Sequence, residues 1–201
     1  MRFLGYRITN FKGIEFAELE FPGNKATVTT LVGLNESGKT TILEALNEFS
    51  SCLKEDALNS VISNDTSSKK NRYIPKSRLG NFSNKITIKA FVQLNDQEII
   101  QTQNHLNEMF PGVFRVKLTS IFKGQKCFEI TRELTYENSK HTTTQNLWTR
   151  FLSYKESPKH KKFRPAGLDY QKEAWVEFCK YIKEMFLPSV VYYPTFAFDF
   201  P

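Results

Sequence analysis

The residues with the most evident chemistry run from Gly33 to Thr41: Gly-Leu-Asn-Glu-Ser-Gly-Lys-Thr-Thr. Their spacing is G-x-x-x-x-G-K-[ST], the phosphate-binding or Walker A loop. Glycines at 33 and 38 let backbone N–H groups turn inward around an anion with no Cβ in the way. Lys39 stands where an ammonium reaches the β and γ phosphates of a nucleotide as a point charge. The Thr40 hydroxyl is placed to ligate Mg²⁺. Thr41 opens a helix, whose N-terminal dipole favours negative charge. A guanine reader would add Asn-Lys-x-Asp, but Asn84-Lys85-Ile86-Thr87 has the first two residues and lacks the Asp. ATP with Mg²⁺ is the ligand this pattern predicts.

Other chemistry is sparse. Cys52, Cys127 and Cys179 are odd in number and scattered, as are His105, His141 and His160. They form neither a disulfide framework nor a zinc pattern, which points to a reducing, cytoplasmic setting. No paired-carboxylate or histidine spacing suggests a nuclease centre. The net charge of +7 is concentrated in two segments. Residues 69–78 carry Lys69, Lys70, Arg72, Lys76 and Arg78 with no acid, and residues 150–164 carry Arg150, Lys155, Lys159, Lys161, Lys162 and Arg164 against Glu156 alone. Such runs are usually solvated loops. With Tyr73, Phe151, Tyr154 and Phe163 interleaved, they also fit phosphate contact and base stacking. DNA or RNA contact is thus assigned to Lys69, Lys70, Arg72, Lys159, Lys161, Lys162 and Arg164.

The elements that must position the loop are legible in the periodicity. The 201 residues suffice for one domain or one large lobe, and no apolar run approaches the ~20 residues of a membrane span. Phe3–Thr9 reads as a strand with Leu4, Tyr6 and Ile8 on one face, then a turn at Asn10–Gly13 and a half-buried strand through Ala17, Leu19 and Phe21. After a turn at Pro22-Gly23-Asn24, Val28–Val32 predicts a short strand into the glycines, and Thr40 to about Leu53 an amphipathic helix. Residues 59–85 read as a long loop and Ile86–Leu94 as a strand. Asn95 and Glu98 predict a capping box for a helix ending at Pro111-Gly112. Val113–Phe122 and Cys127–Tyr136 predict a hairpin, closed by a Gly124-Gln125 type II′ turn. Residues 137–167 look irregular. Leu168–Phe186 predicts a helix with Trp175, Phe178, Ile182 and Met185 on one stripe, ahead of Pro188 and a strand at Ser189–Tyr193.

Ile8–Ile14 (ITNFKGI) followed by Leu31–Leu46 (LVGLNESGKTTILEAL) resembles the N-terminal part of ABC-type ATPases of the SMC, RecF/RecN and OLD-like group, also described as AAA-family ATP-binding proteins. The strong resemblance covers about residues 1–50. It implies an α/β P-loop NTPase fold, an ABC/SMC-like head lobe with an antiparallel β subdomain and flanking helices. The lobe spans 1–201, with the strands, loop and first helix in 1–58, the antiparallel region in 86–136, and a helix and strand in 168–201. It implies that Lys12 lies near the nucleotide phosphates and that Asn35, Ser37, Gly38, Lys39, Thr40 and Thr41 form the phosphate cradle, with Glu36 inside the same loop. The family completes its site with a Gln loop, a Ser-Gly signature and an apolar strand ending in Asp-Glu. None is evident here: Asp199 is followed by Phe200, and Val190–Thr195 carries no Gln. No catalytic residue is assigned, and the chain reads as the first lobe of a longer ATPase whose hydrolysis needs the later motifs.

Three functions compete. The first is an ATP-binding head of an ABC/SMC-like ATPase acting with nucleic acid in DNA repair or bacterial anti-phage defence, self-associating through ATP and working beside a nuclease. The second is a nucleic-acid-binding module whose P-loop only regulates. The third is an assembly domain docking a partner on helix 168–186, although core packing explains that stripe more simply.

Overall fold

The computed structural model describes residues 1–21, 29–34, 37–54, 71–149, 151–165 and 172–188. Nine strands and three α-helices occur among them: β1 (Arg2–Phe11), β2 (Ile14–Glu20), α1 (Lys39–Lys54), β3 (Lys85–Gln93), α2 (Asp96–Met109), β4 (Val113–Val116), β5 (Ser120–Phe122), β6 (Gln125–Glu137), β7 (Lys140–Trp148), β8 (Leu152–Lys155), β9 (Arg164–Pro165) and α3 (Lys172–Met185). An antiparallel sheet runs β2-β1-β3-β6, and β5 and β7 share the far edge of β6. A second sheet runs β4-β8-β9. One apolar core joins Ile8, Ile88 and Ile130 of the large sheet to Phe49 of α1, Phe114 of β4 and Phe178 of α3.

The β1–β2 hairpin turns at Lys12-Gly13, with Phe11 paired to Ile14. Lys12, the first turn residue, holds a positive φ of 51°, and Asn10, still within β1, one of 58°, the left-handed region that tight turns use and that Asn tolerates better than most residues. Farther back, the alternation Leu4, Tyr6, Ile8 is broken. A register shift between Phe3 and Gly5 sets Leu4 and Gly5 against Phe91, so the strand gains a residue and its face flips. Phe3 lies beside Tyr6, 5.3 Å between centroids, while Leu4 joins a separate cluster with Phe91, Phe122 and Cys127. Gly5 is required at the bulge. A Cβ there would lie 2.1 Å from the Leu19 carbonyl oxygen and 2.9 Å from the Phe122 ring. Gly5→Ala is therefore expected to destabilise the fold by about 1–3 kcal/mol, the usual range for overpacking. Thermal denaturation should show a drop of several degrees, and an unchanged transition would refute the fit.

Several expectations need correction. Thr29–Leu34 forms no strand: no described strand pairs with it, and Val32 and Leu34 are 90% and 85% exposed. β-branched residues favour a strand only where a partner receives their hydrogen bonds and covers their side chains. The described part of the long loop is a loop, but an anchored one: Tyr73, Ile74 and Phe82 are buried on either side of an exposed 3₁₀ turn at Lys76–Arg78. Val113–Phe122 is two strands in two sheets. The hairpin loop is Lys123-Gly124, not Gly124-Gln125, because Phe122 pairs with Gln125; both loop residues have positive φ, 47° and 79°, as a type I′ turn requires.

The described residues between 137 and 165 are not all irregular either. β7, β8 and β9 lie among them, and Asn138-Ser139 turns β6 into β7 with φ of 49° and 60°. Met185 is 60% exposed and leaves the α3 stripe, while Trp175, Phe178 and Ile182 are buried. The predicted capping box is present: Glu98 N–H donates to Asn95 Oδ1 at 2.9 Å, and Asn95 N–H to Glu98 Oε2 at 2.8 Å. The turn at 22–24, the strand at 189–193 and the start of the last helix at 168–171 lie outside the described residues.

Candidate nucleotide site at the start of the first helix

α1 begins at Lys39, directly after the glycine loop. Gly38 takes φ of 89°, closed to most side chains, and its carbonyl accepts the Ile42 N–H at 3.0 Å, starting the helix. Ser37 N–H donates to the Leu34 carbonyl at 3.2 Å. Gly33 sits against Ser37, whose Oγ lies 2.6 Å from where a Cβ would be. The Lys39 ammonium folds back over this turn and donates to the carbonyls of Gly33 at 2.8 Å and Leu34 at 2.6 Å and to Ser37 Oγ at 3.2 Å. The first turn of α1 holds no acid, so its N–H groups and dipole face an anion unopposed. Thr40 is exposed and Thr41 half-buried at this end. Asn35 and Glu36 lie outside the described residues.

Beside the helix start opens a cleft of about 530 Å³, lined by the β1–β2 turn, Thr41 and the segment 72–78. Lys12, Arg72, Lys76 and Arg78 make it cationic, with Glu15 the one carboxylate lining it among the described residues. Lys12 is fixed twice: its N–H donates to the Tyr73 carbonyl at 2.7 Å, and its ammonium pairs with Glu44 on α1. Lys12 and Thr41 thus share one cleft, whereas Lys39 does not line it and stays on its own loop.

The residues of the 72–78 segment gave no sign in the sequence that they belong to the nucleotide motif. Arg72 Nη2 donates to the Tyr73 hydroxyl at 3.0 Å, and that hydroxyl donates to Glu48 Oε2 at 2.8 Å. Burial raises the Tyr73 phenol above its ordinary value, so it stays protonated. Glu48 Oε1 in turn accepts from Arg132 of β6, whose Nη1 reaches Asn146 of β7 at 2.9 Å. A polar chain therefore runs from the far edge of the sheet, through α1, to the cleft.

A family model described as "AAA ATPase domain" matches residues 5–200. The chain belongs to that family. Its P-loop NTPase fold and nucleotide binding through the loop follow from membership. Comparison with curated proteins gives no match.

The remaining functional candidates separate. The two basic segments line different recesses: 72–78 the cleft beside the helix start, and Lys155, Lys162 and Arg164 a small one beside β8 and β9. Lys69, Lys70 and Arg150 lie outside the described residues. Tyr73, Phe151 and Tyr154 are buried at 7%, 2% and 5% exposure, which removes them as base-stacking platforms. Among the described residues no three His, Cys, Asp or Glu side chains gather as a metal site, and no helix is long and apolar enough to cross a membrane. Burial pushes the Cys127 thiol up to about 11 and raises that of Cys179 as well. Both remain thiols at neutral pH, without the thiolate that redox chemistry or metal ligation uses.

Proposed function

We propose that this domain binds ATP with Mg²⁺ through Gly33–Thr41 as one head of an ABC/SMC-like ATPase acting with nucleic acid in DNA repair or bacterial anti-phage defence. The observation that carries the nucleotide reading is the meeting of a glycine-bounded loop, an acid-free helix start and a cleft lined by four cations. The loop N–H groups and Lys39 would hold the β and γ phosphates, Lys12 would approach from the β1–β2 turn, and Thr40 would supply an oxygen to Mg²⁺. The metal would neutralise phosphate charge when bound. The resemblance supports two heads closing over ATP, with a nuclease as a working partner. The exposed cations Arg115, Lys162 and Arg164 around β4, β8 and β9 support nucleic acid as the other ligand, and the reading places the protein in the cytoplasm.

Titration calorimetry with ATP and Mg²⁺ tests the binding. Hydrolysis by residues 1–201 is expected to be far slower than the ~1–100 s⁻¹ of kinase-type phosphoryl transfer. Catalysis needs a positioned water and charge stabilisation from the far side of the γ-phosphate. Of the carboxylates nearest the cleft, Glu44 pairs with Lys12, and Glu15 is exposed to solvent 3.9 Å from Arg78. An opposing head would have to provide the missing groups. Phosphate release measured against a Lys39→Ala control decides, and brisk Lys39-dependent turnover would show a complete catalytic set in these residues.

A further inference from the structure

The outward face of the β4-β8-β9 sheet carries charge that no carboxylate among the described residues pairs with. Its inner face is committed to the core through Phe114, Val116, Leu152 and Tyr154. The edge of β4 is tied to α2, with the N–H groups of Phe114 and Val116 donating to Asn107 Oδ1 at 2.7 Å and Gln103 Oε1 at 2.9 Å. The other face is therefore held rigidly toward solvent. Arg115 and Lys117 are exposed there, and Lys155 is half-exposed across the strand pair. The chain returning from the 156–162 turn brings Phe163 to this face, while Arg164, paired with Tyr154, falls on the opposite side of β9. Phe163 organises the group: its ring centroid lies 4.3 Å from the Arg115 guanidinium carbon and 5.2 Å from Lys155 Nζ, within cation–π range. Cations 40 residues apart in sequence are thus gathered around one aromatic ring.

The large sheet provides the contrast. On its polar face Lys85 meets Glu133 at 2.9 Å, Lys89 meets Glu129 at 2.7 Å, and Glu18 takes both Arg7 at 2.7 Å and Lys123 at 2.9 Å. Matched pairs of that kind are how this protein treats an ordinary solvated sheet face. On the small sheet Glu156 faces His160 at 3.3 Å, and among the described residues no carboxylate pairs with Arg115, Lys117, Lys162 or Arg164. A recess at Tyr154, Lys162 and Arg164 holds only about 10 Å³, too small for a phosphate group. The charge is spread over a face and does not converge on a point, which suits an extended polyanion and not a small one.

We infer that the outward face of the β4-β8-β9 sheet, centred on Arg115 and Lys155 around Phe163, seats the phosphodiester backbone of nucleic acid. This rests on the nucleic-acid reading above and assigns its surface. The decisive residues are Arg115 and Lys117, because they lie outside the basic run and only the fold brings them to it. Anisotropy with a fluorescein-labelled oligothymidylate at ~50 mM salt should show binding whose logarithm falls linearly with log salt. Arg115→Glu/Lys117→Glu should weaken it at least tenfold and flatten the salt slope by about 1.4, at about 0.7 per phosphate contact on single strands. ATP binding and the thermal transition should be unchanged, since both side chains are exposed. Arg115→Gln/Lys117→Gln, free of repulsion, should weaken binding less but flatten the slope equally. Wild-type affinity and slope in both variants would overturn this surface and leave the nucleic-acid reading standing. No binding by the unaltered protein would overturn both. Preferential binding to phosphatidylserine vesicles over the oligonucleotide, lost in the same variants, would overturn it in favour of a membrane surface.

Discussion

Replacing Lys39 with alanine is expected to weaken ATP–Mg²⁺ binding by at least tenfold in titration calorimetry. Charge-assisted hydrogen bonds contribute about 1.5–3 kcal/mol, and each 1.4 kcal/mol is a factor of ten in affinity. The Lys39 ammonium is the cation nearest the glycine loop, bonded to the Gly33 and Leu34 carbonyls and to Ser37 Oγ. An incoming phosphate would exchange those neutral acceptors for anionic ones, and alanine removes the donor altogether. Lys39→Arg is the informative companion. It keeps the charge but brings a planar fork to a turn shaped around a compact ammonium, so it should recover only part of the affinity. Fold stability should hardly change, because these contacts are exposed. Equal affinity in wild type and Lys39→Ala would mean that phosphate is bound elsewhere, with the cations of the 72–78 segment the first place to look.

What the sequence revealed and what it concealed divide along physical lines. The phosphate loop was legible because its residues are constrained by local backbone geometry: a positive φ at Gly38 and a helix start at Lys39 leave few alternatives. The same holds for the Asn95–Glu98 capping box and, in part, for the turn read at Asn10–Gly13, of which the structure keeps Asn10 and Phe11 in β1 and turns at Lys12-Gly13. β7 was not legible. Its sequence, Lys-His-Thr-Thr-Thr-Gln-Asn-Leu-Trp, turns His141, Thr144 and Asn146 inward. Hydrophobic alternation cannot find a strand whose buried residues are polar. Those side chains are satisfied by partners, His141 by Thr144 at 2.8 Å and Asn146 by Arg132. The bulge at Leu4–Gly5 was hidden for a different reason, since it depends on the distant Leu19 and Phe122. The cationic wall of the cleft was also invisible. Arg72, Lys76 and Arg78 look like any basic run until the burial of Tyr73 and Ile74 pins them beside the β1–β2 turn.

Arg132→Met is expected to lower stability by about 3–5 kcal/mol, the loss found when one partner of a buried ion pair is removed. For a chain of this size that corresponds to a melting temperature lower by roughly 6–20 °C. The Arg132 and Glu48 side chains are only 4% and 12% exposed, with Nη2 and Oε1 3.3 Å apart. Without the guanidinium, the Glu48 carboxylate keeps the Tyr73 hydroxyl but loses the buried cation Arg132 in a site of low dielectric. The double variant Arg132→Met/Glu48→Leu should recover most of the loss, since well-packed apolar residues often replace a buried pair at little cost. A thermodynamic cycle over the two sites should therefore give a large coupling. The consequence reaches the nucleotide, because Glu48 and Lys39 share α1 and Tyr73 bonds to Arg72 in the cleft. Arg132→Met should weaken ATP binding even where the protein remains folded, although Arg132 lines neither the loop nor the cleft. A destabilisation under ~1 kcal/mol, the scale of a surface ion pair, would show that α1 is held by its apolar face alone.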